Sequence, residues 1–130
     1  MRTGELICEN THAKFLNNLL KIHLHNYRQC TYKLNNGYVI WMLRLSGVES
    51  TTGWTNTLTD SGNTILEDYT GNPFKRHPSH KTVDCSKRLV FDIEETAKKR
   101  KYIFRGVFSY DFNSNNDRRK WNKISDVFCF

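Results

Sequence analysis

Proline and glycine are scarce in this chain, at two and seven of 130 residues, which excludes collagen-like and low-complexity linker architectures. Long apolar runs are absent as well. No stretch approaches the roughly 18–20 residues that cross a bilayer, and the N-terminus has no charged region leading into an apolar one. No membrane partner is therefore expected, and a cytoplasmic location is. Four cysteines, Cys8, Cys30, Cys85 and Cys129, lack short regular spacing, so they are expected as buried free thiols. A phosphate-cradling glycine loop, a Gly-x-Ser-x-Gly elbow and a His-Glu-x-x-His helix are all missing. A zinc site built from His77, His80 and Cys85 would need a distant fourth ligand. No metal and no cofactor are expected.

What the chain does have is length for one core, and residues 1–130 read as a single domain. It also has positive charge, +7 in all, unevenly placed. Residues 1–70 carry six basic and six acidic side chains, whereas residues 71–130 carry fourteen and seven. The whole excess belongs to the second half, which points to a basic face and a polyanionic partner.

Apolar periodicity predicts one amphipathic helix over residues 11–27, with Asn10 or Thr11 as N-cap and His23 on its core stripe. The period then changes to that of strands. Cys30–Leu34 and Tyr38–Leu45 flank Asn35-Asn36-Gly37 as a hairpin, and shorter strands follow at Gly53–Leu58 and Thr64–Tyr69. Residues 70–87, with Pro73 and Pro78, read as an exposed loop. Strands resume at Arg88–Glu95 and Lys101–Phe112, and Arg119–Ile124 with Val127–Phe130 supplies the last one. In Lys101–Phe112 the aromatic residues Tyr102, Phe104, Phe108, Tyr110 and Phe112 share one parity, and Gly106 interrupts them where a bulge, a bend or a close backbone approach belongs. The sum is an α+β fold: a small curled, barrel-like sheet of about six or seven strands with one N-terminal amphipathic helix.

Basic clusters at Lys75-Arg76, at Lys98, Lys99, Arg100 and Lys101, and at Arg118, Arg119 and Lys120 fall in loops or at strand ends, where they suit phosphates. Base recognition needs ring planes and amides, and Trp54 beside Asn56 offers both, with Trp41 and Tyr69 to complete a stacking cage. Trp41 lies in an apolar strand and reads first as core. Carboxylates for a metal nuclease exist by type at Asp92 and Glu94, which read more simply as salt-bridged neighbours of Lys98–Lys101. His77 and His80 on a basic loop are a general acid and base for a metal-free nuclease by type alone.

The order Gly62-Asn63-x-x-Leu66, a basic loop, Arg88-Leu-Val-Phe91 and Tyr102-Ile-Phe-Arg-Gly-Val-Phe-Ser-Tyr110 resembles the PUA-like superfamily, which includes the EVE and SRA-type recognition domains of modification-dependent restriction systems. The resemblance covers roughly residues 36–124. It implies a pocket that takes a modified or flipped base between aromatic side chains, with Trp54, Asn56 and Tyr69 in that pocket. It also implies a nuclease domain or partner subunit elsewhere. The leading expectation is thus a non-enzymatic reader of nucleic acid, DNA in preference to RNA. The competing ones are a small inhibitor or adaptor that binds a protein, and a small nuclease or nuclease-type toxin.

Overall fold

The computed structural model describes residues 1–47, 53–71 and 83–130. They form one helix and eight strands: β1 Leu6–Glu9, α1 His12–Leu20, β2 Thr31–Lys33, β3 Val39–Leu43, β4 Trp54–Thr59, β5 Thr64–Tyr69, β6 Arg88–Glu95, β7 Arg100–Tyr110 and β8 Arg118–Ser125. The sheet runs in the order β2-β3-β6-β7-β8-β5-β4, with β1 paired to β7 beside it. All pairings are antiparallel except β3 with β6. This is the expected α+β curled sheet, with β1 as the strand that the sequence pattern did not announce. Among the described residues no continuous ladder closes it into a barrel, and a bridge between Ser46 and Thr57 brings the β3 end toward β4.

Thr11 caps α1, its side chain accepting a hydrogen bond from the Lys14 amide at 3.2 Å. The helix is shorter than its apolar spacing predicts. Lys21 adopts a left-handed conformation, and the Asn17 side chain exchanges two hydrogen bonds with the Leu24 backbone, so the chain turns away after Leu20. His23 is consequently exposed rather than a core residue. Phe15 lies flat on Tyr102 with ring centroids 4.1 Å apart and meets Phe91 edge-on, which seats the helix on one face of β6 and β7.

Two cores result, one on each face of the sheet. Phe15, Ile40, Leu89, Phe91, Tyr102 and Phe104 fill the helix side, and Trp41, Leu43, Ile65, Val90, Phe108 and Trp121 fill the other. The aromatic row of β7 does not stay on one side. Val90 pairs with Gly106 and Phe91 with Phe104, which leaves Arg105 as an extra residue, and beyond that bulge the side chains change faces. Tyr102 and Phe104 therefore join the helix, while Phe108 and Tyr110 join the opposite core. Gly106 makes this possible: its φ is +120°, and a Cβ there would stand 2.8 Å from the Ser125 carbonyl oxygen of β8.

The four cysteines are free, but all are exposed rather than buried, because each falls in a loop, at a terminus or on the open side of β1. Among the described residues, no helix is long and apolar enough to cross a membrane.

Candidate nucleic-acid interface

Strand register decides which side chains meet. In the hairpin of β4 and β5, Trp54 stands opposite Tyr69 and Asn56 opposite Glu67, so all four share one face. On β5 and β8, Glu67 stands opposite Arg119 and Ile65 opposite Trp121. Tyr110 of β7 faces Trp121, with ring centroids 5.2 Å apart. The face opposite the helix thus gathers three indoles, two guanidiniums, a carboxylate and an amide.

That face is concave. β3 and β8 are three ladder steps apart, about 14 Å on a flat sheet, yet the rings of Trp41 and Trp121 have centroids only 5.4 Å apart. Arg88 lies against both rings, its guanidinium carbon 5.2 Å from the Trp41 ring and 4.7 Å from the Trp121 ring, so the three groups form a triangle. Arg119 lies over Trp54 at 4.5 Å, and Trp54 and Tyr69 are tilted together at 5.2 Å.

Glu67 is the hub. Its Oε1 accepts from Trp121 Nε1 at 3.3 Å and stands 3.8 Å from the Arg119 guanidinium. Burial pushes this carboxyl above the ordinary carboxylate range, against the opposing pull of Arg119, the Trp121 hydrogen bond and Arg88. Among the described residues, three buried polar atoms on this side of the sheet have no hydrogen-bond partner, Asn56 Oδ1, Arg88 Nε and Arg105 Nε, which is unusual because buried polar groups are nearly always paired.

The four residues expected to handle a base, Trp41, Trp54, Asn56 and Tyr69, lie together on this face. Trp41 and Trp54 are 4% and 6% exposed, so they are core residues of this side of the sheet, whereas Asn56, Glu67 and Tyr69 are half-buried. The basic clusters are not brought together. Lys98 and Lys99 occupy the turn between β6 and β7 at the far end of the sheet, and Arg100 and Lys101 open β7 there, where Arg100 pairs with Glu95 at 3.2 Å. Arg118 and Lys120 project outward at the Trp54 end, and Arg119 between them turns inward to Glu67. Lys75 and Arg76, and with them His77 and His80, lie outside the described residues. Asp92 and Glu94 are ion-paired, at 3.1 and 3.8 Å, with Arg105, the bulged residue, rather than with the Lys98–Lys101 turn.

The sequence profile of the SET and RING associated domain, SRA, matches residues 2–130. The chain belongs to the SRA domain family. Among solved structures, this SRA domain is similar to the 5-hydroxymethylcytosine-specific restriction enzyme AbaSI, with a TM-score of 0.68 and 22% identity, over 92% of this chain and 39% of that one. The SRA domain thus spans about two fifths of the length of that structural relative. No curated protein matches it.

Sequence reasoning passed over Glu67, Arg88 and Trp121. A signal for Glu67 exists: it sits at the inward parity of β5, between Ile65 and Tyr69, where a carboxylate is out of place unless paired. Arg88 carries no such signal, since it opens a strand whose first residue the alternation leaves free.

Proposed function

We propose that this SRA domain is a DNA-binding module that reads a modified cytosine, with a flipped base received on the concave aromatic face. The observation that carries this reading is the cross-strand pair of Asn56 and Glu67, backed by Trp54, Tyr69 and Trp121. The Watson–Crick edge of cytosine offers an exocyclic amine that donates and ring positions that accept. A carboxylate is the natural acceptor for that amine, and an amide serves either role beside it. Tyr69 supplies the ring for stacking, and Trp54 and Trp41 form the wall and floor. Membership of the SRA family and the likeness to an enzyme specific for 5-hydroxymethylcytosine support this substrate class. In this reading Arg118 and Lys120 grip the backbone beside the pocket, and Lys98–Lys101, with Lys75 and Arg76, add contacts on longer DNA. The domain then serves as the specificity element of a restriction system, alongside a nuclease domain or subunit.

The test is a fluorescence titration with duplexes that differ in a single 5-hydroxymethylcytosine. The modified duplex is expected to bind at least tenfold more tightly. Asn56→Ala is expected to erase most of that ratio while costing less than about 1 kcal/mol of stability, because the Oδ1 it removes is unpaired and burying it brings no return. Equal binding of the two duplexes by the unaltered domain would overturn the proposal.

A further inference from the structure

Arg88 stands apart from the other cations of the chain. Its guanidinium packs against both the Trp41 and the Trp121 indole, and the residue is only 9% exposed. One of its terminal nitrogens donates to the Asp84 carbonyl oxygen at 2.9 Å, and its Nε has no partner. Among the described residues no carboxylate comes within ion-pairing distance of it. Glu67 is engaged by Arg119, and the Asp84 carboxylate is turned to the Ser86 amide and hydroxyl at 3.0 and 2.6 Å. Among the described residues this side of the sheet therefore holds Arg88, Arg105 and Arg119 against Glu67 and Asp92, with Asp92 taken by Arg105, and burial discourages Glu67 from ionising.

A buried guanidinium with no carboxylate in contact is costly: Asp84 and Glu67 act on it only from a distance, and π faces compensate only part of its lost hydration. Packing against two indoles and the hydrogen bond to the Asp84 carbonyl oxygen also restrain the group, and a planar fork suits an oxyanion meeting its edge. We infer that Arg88 is the anion anchor of this face and takes a phosphate that flanks the nucleotide whose base enters. This rests on the reader proposal above for the identity of the ligand, and on the charge balance of the face for its chemistry. It assigns Arg88 to the backbone and leaves Asn56 and Glu67 to the base.

The experiment uses duplexes with one 5-hydroxymethylcytosine or none, in which either flanking phosphate is natural or replaced by a neutral methylphosphonate. For the unaltered domain, neutralising one of the two is expected to weaken binding about tenfold. Arg88→Gln should weaken binding of the natural duplex to a similar degree and show no further loss on neutralisation. Its slope of log K against log salt should be shallower by about 0.9. Arg88→Lys, which keeps the charge but not the planar fork, is expected to show an intermediate neutralisation penalty. Circular dichroism establishes that each variant is folded. If Arg88→Gln is not, the comparison of the unaltered domain with Arg88→Lys decides, and equal penalties overturn the inference. So does indifference of the unaltered domain to both neutral linkages, additive losses, or an unchanged salt slope with a reduced preference for the modified duplex. A domain that binds both duplexes equally loses the reader proposal, while the slope difference still tests Arg88. A domain that binds neither loses both.

Discussion

His12 and Glu67 are two residues whose titration burial shifts in opposite directions, one aided and one opposed by neighbouring charge, and they give the domain opposite responses to pH. His12 opens α1, shares a hydrogen bond of 2.8 Å with the Tyr102 hydroxyl, and has its imidazole held below the ordinary range by burial, with Arg100 and Arg44 adding to the effect. The folded chain therefore favours its neutral form, and it takes up a proton more readily on unfolding. Its contribution is fully present above the ordinary histidine value of about 6.5 and is lost as pH falls through the lower folded value. Glu67 is raised instead, so its contribution is present below the ordinary carboxylate range and lost as pH rises through the folded value. Urea midpoints between pH 7 and pH 5 should fall less steeply for His12→Gln than for the unaltered chain. Identical slopes would remove His12 from this role. None of this is visible at residue level in the sequence, where His12 reads as one polar residue beside an N-cap.

Among the elements, β7 shows how far alternation carries and where it fails. Its aromatic spacing and the break at Gly106 mark it as a long strand with an irregularity, and that much is legible. The bulge that Gly106 permits moves everything after it by one position, so the single row of rings becomes two half-rows serving different cores. Gly106→Ala places a side chain at a φ of +120° and against the Ser125 carbonyl oxygen at 2.8 Å. The backbone conformation alone should cost roughly 1–3 kcal/mol, read as a lowered urea midpoint, and a neutral substitution would contradict the close approach of β8. α1 gives the complementary case. Its start is written in Thr11, whereas its end depends on Asn17 reaching the Leu24 backbone, a contact that helical periodicity continues straight past.

At the scale of the whole molecule, charge that is clustered in sequence is divided in space. Ten residues of β7 separate Arg100 from Tyr110, about 33 Å at the usual rise of an extended strand, so the Lys98–Lys101 turn and the Arg118–Lys120 segment stand at opposite ends of the sheet. Under the proposed function, a duplex of about ten base pairs, close to one helical turn, centred on the modified base should feel only the nearer group. The double variant Arg118→Ala, Lys120→Ala should lower the salt slope by about 0.9 per lost contact on that short duplex. Lys98→Ala with Lys99→Ala should leave it unchanged there and lower it only on longer DNA. Equal effects of the two double variants on the short duplex would show that both ends reach the same phosphates.

Local chemistry was enough to determine the helix start, most of the strands, the Asn-Gly hairpin and the presence of a basic second half, because capping, alternation and positive-φ turns act over a few residues. The family resemblance grouped Trp54, Asn56 and Tyr69, and the register of β4 and β5 sets them on one face. Only the tertiary structure decided that Glu67, Arg88 and Trp121 would join them. That convergence requires β3 to pair in parallel with a strand some fifty residues away, and the sheet to curl until Trp41 meets Trp121. Pairings at such separation and the sense of the curl follow from the packing of two cores against each other, and no short stretch of chain encodes them.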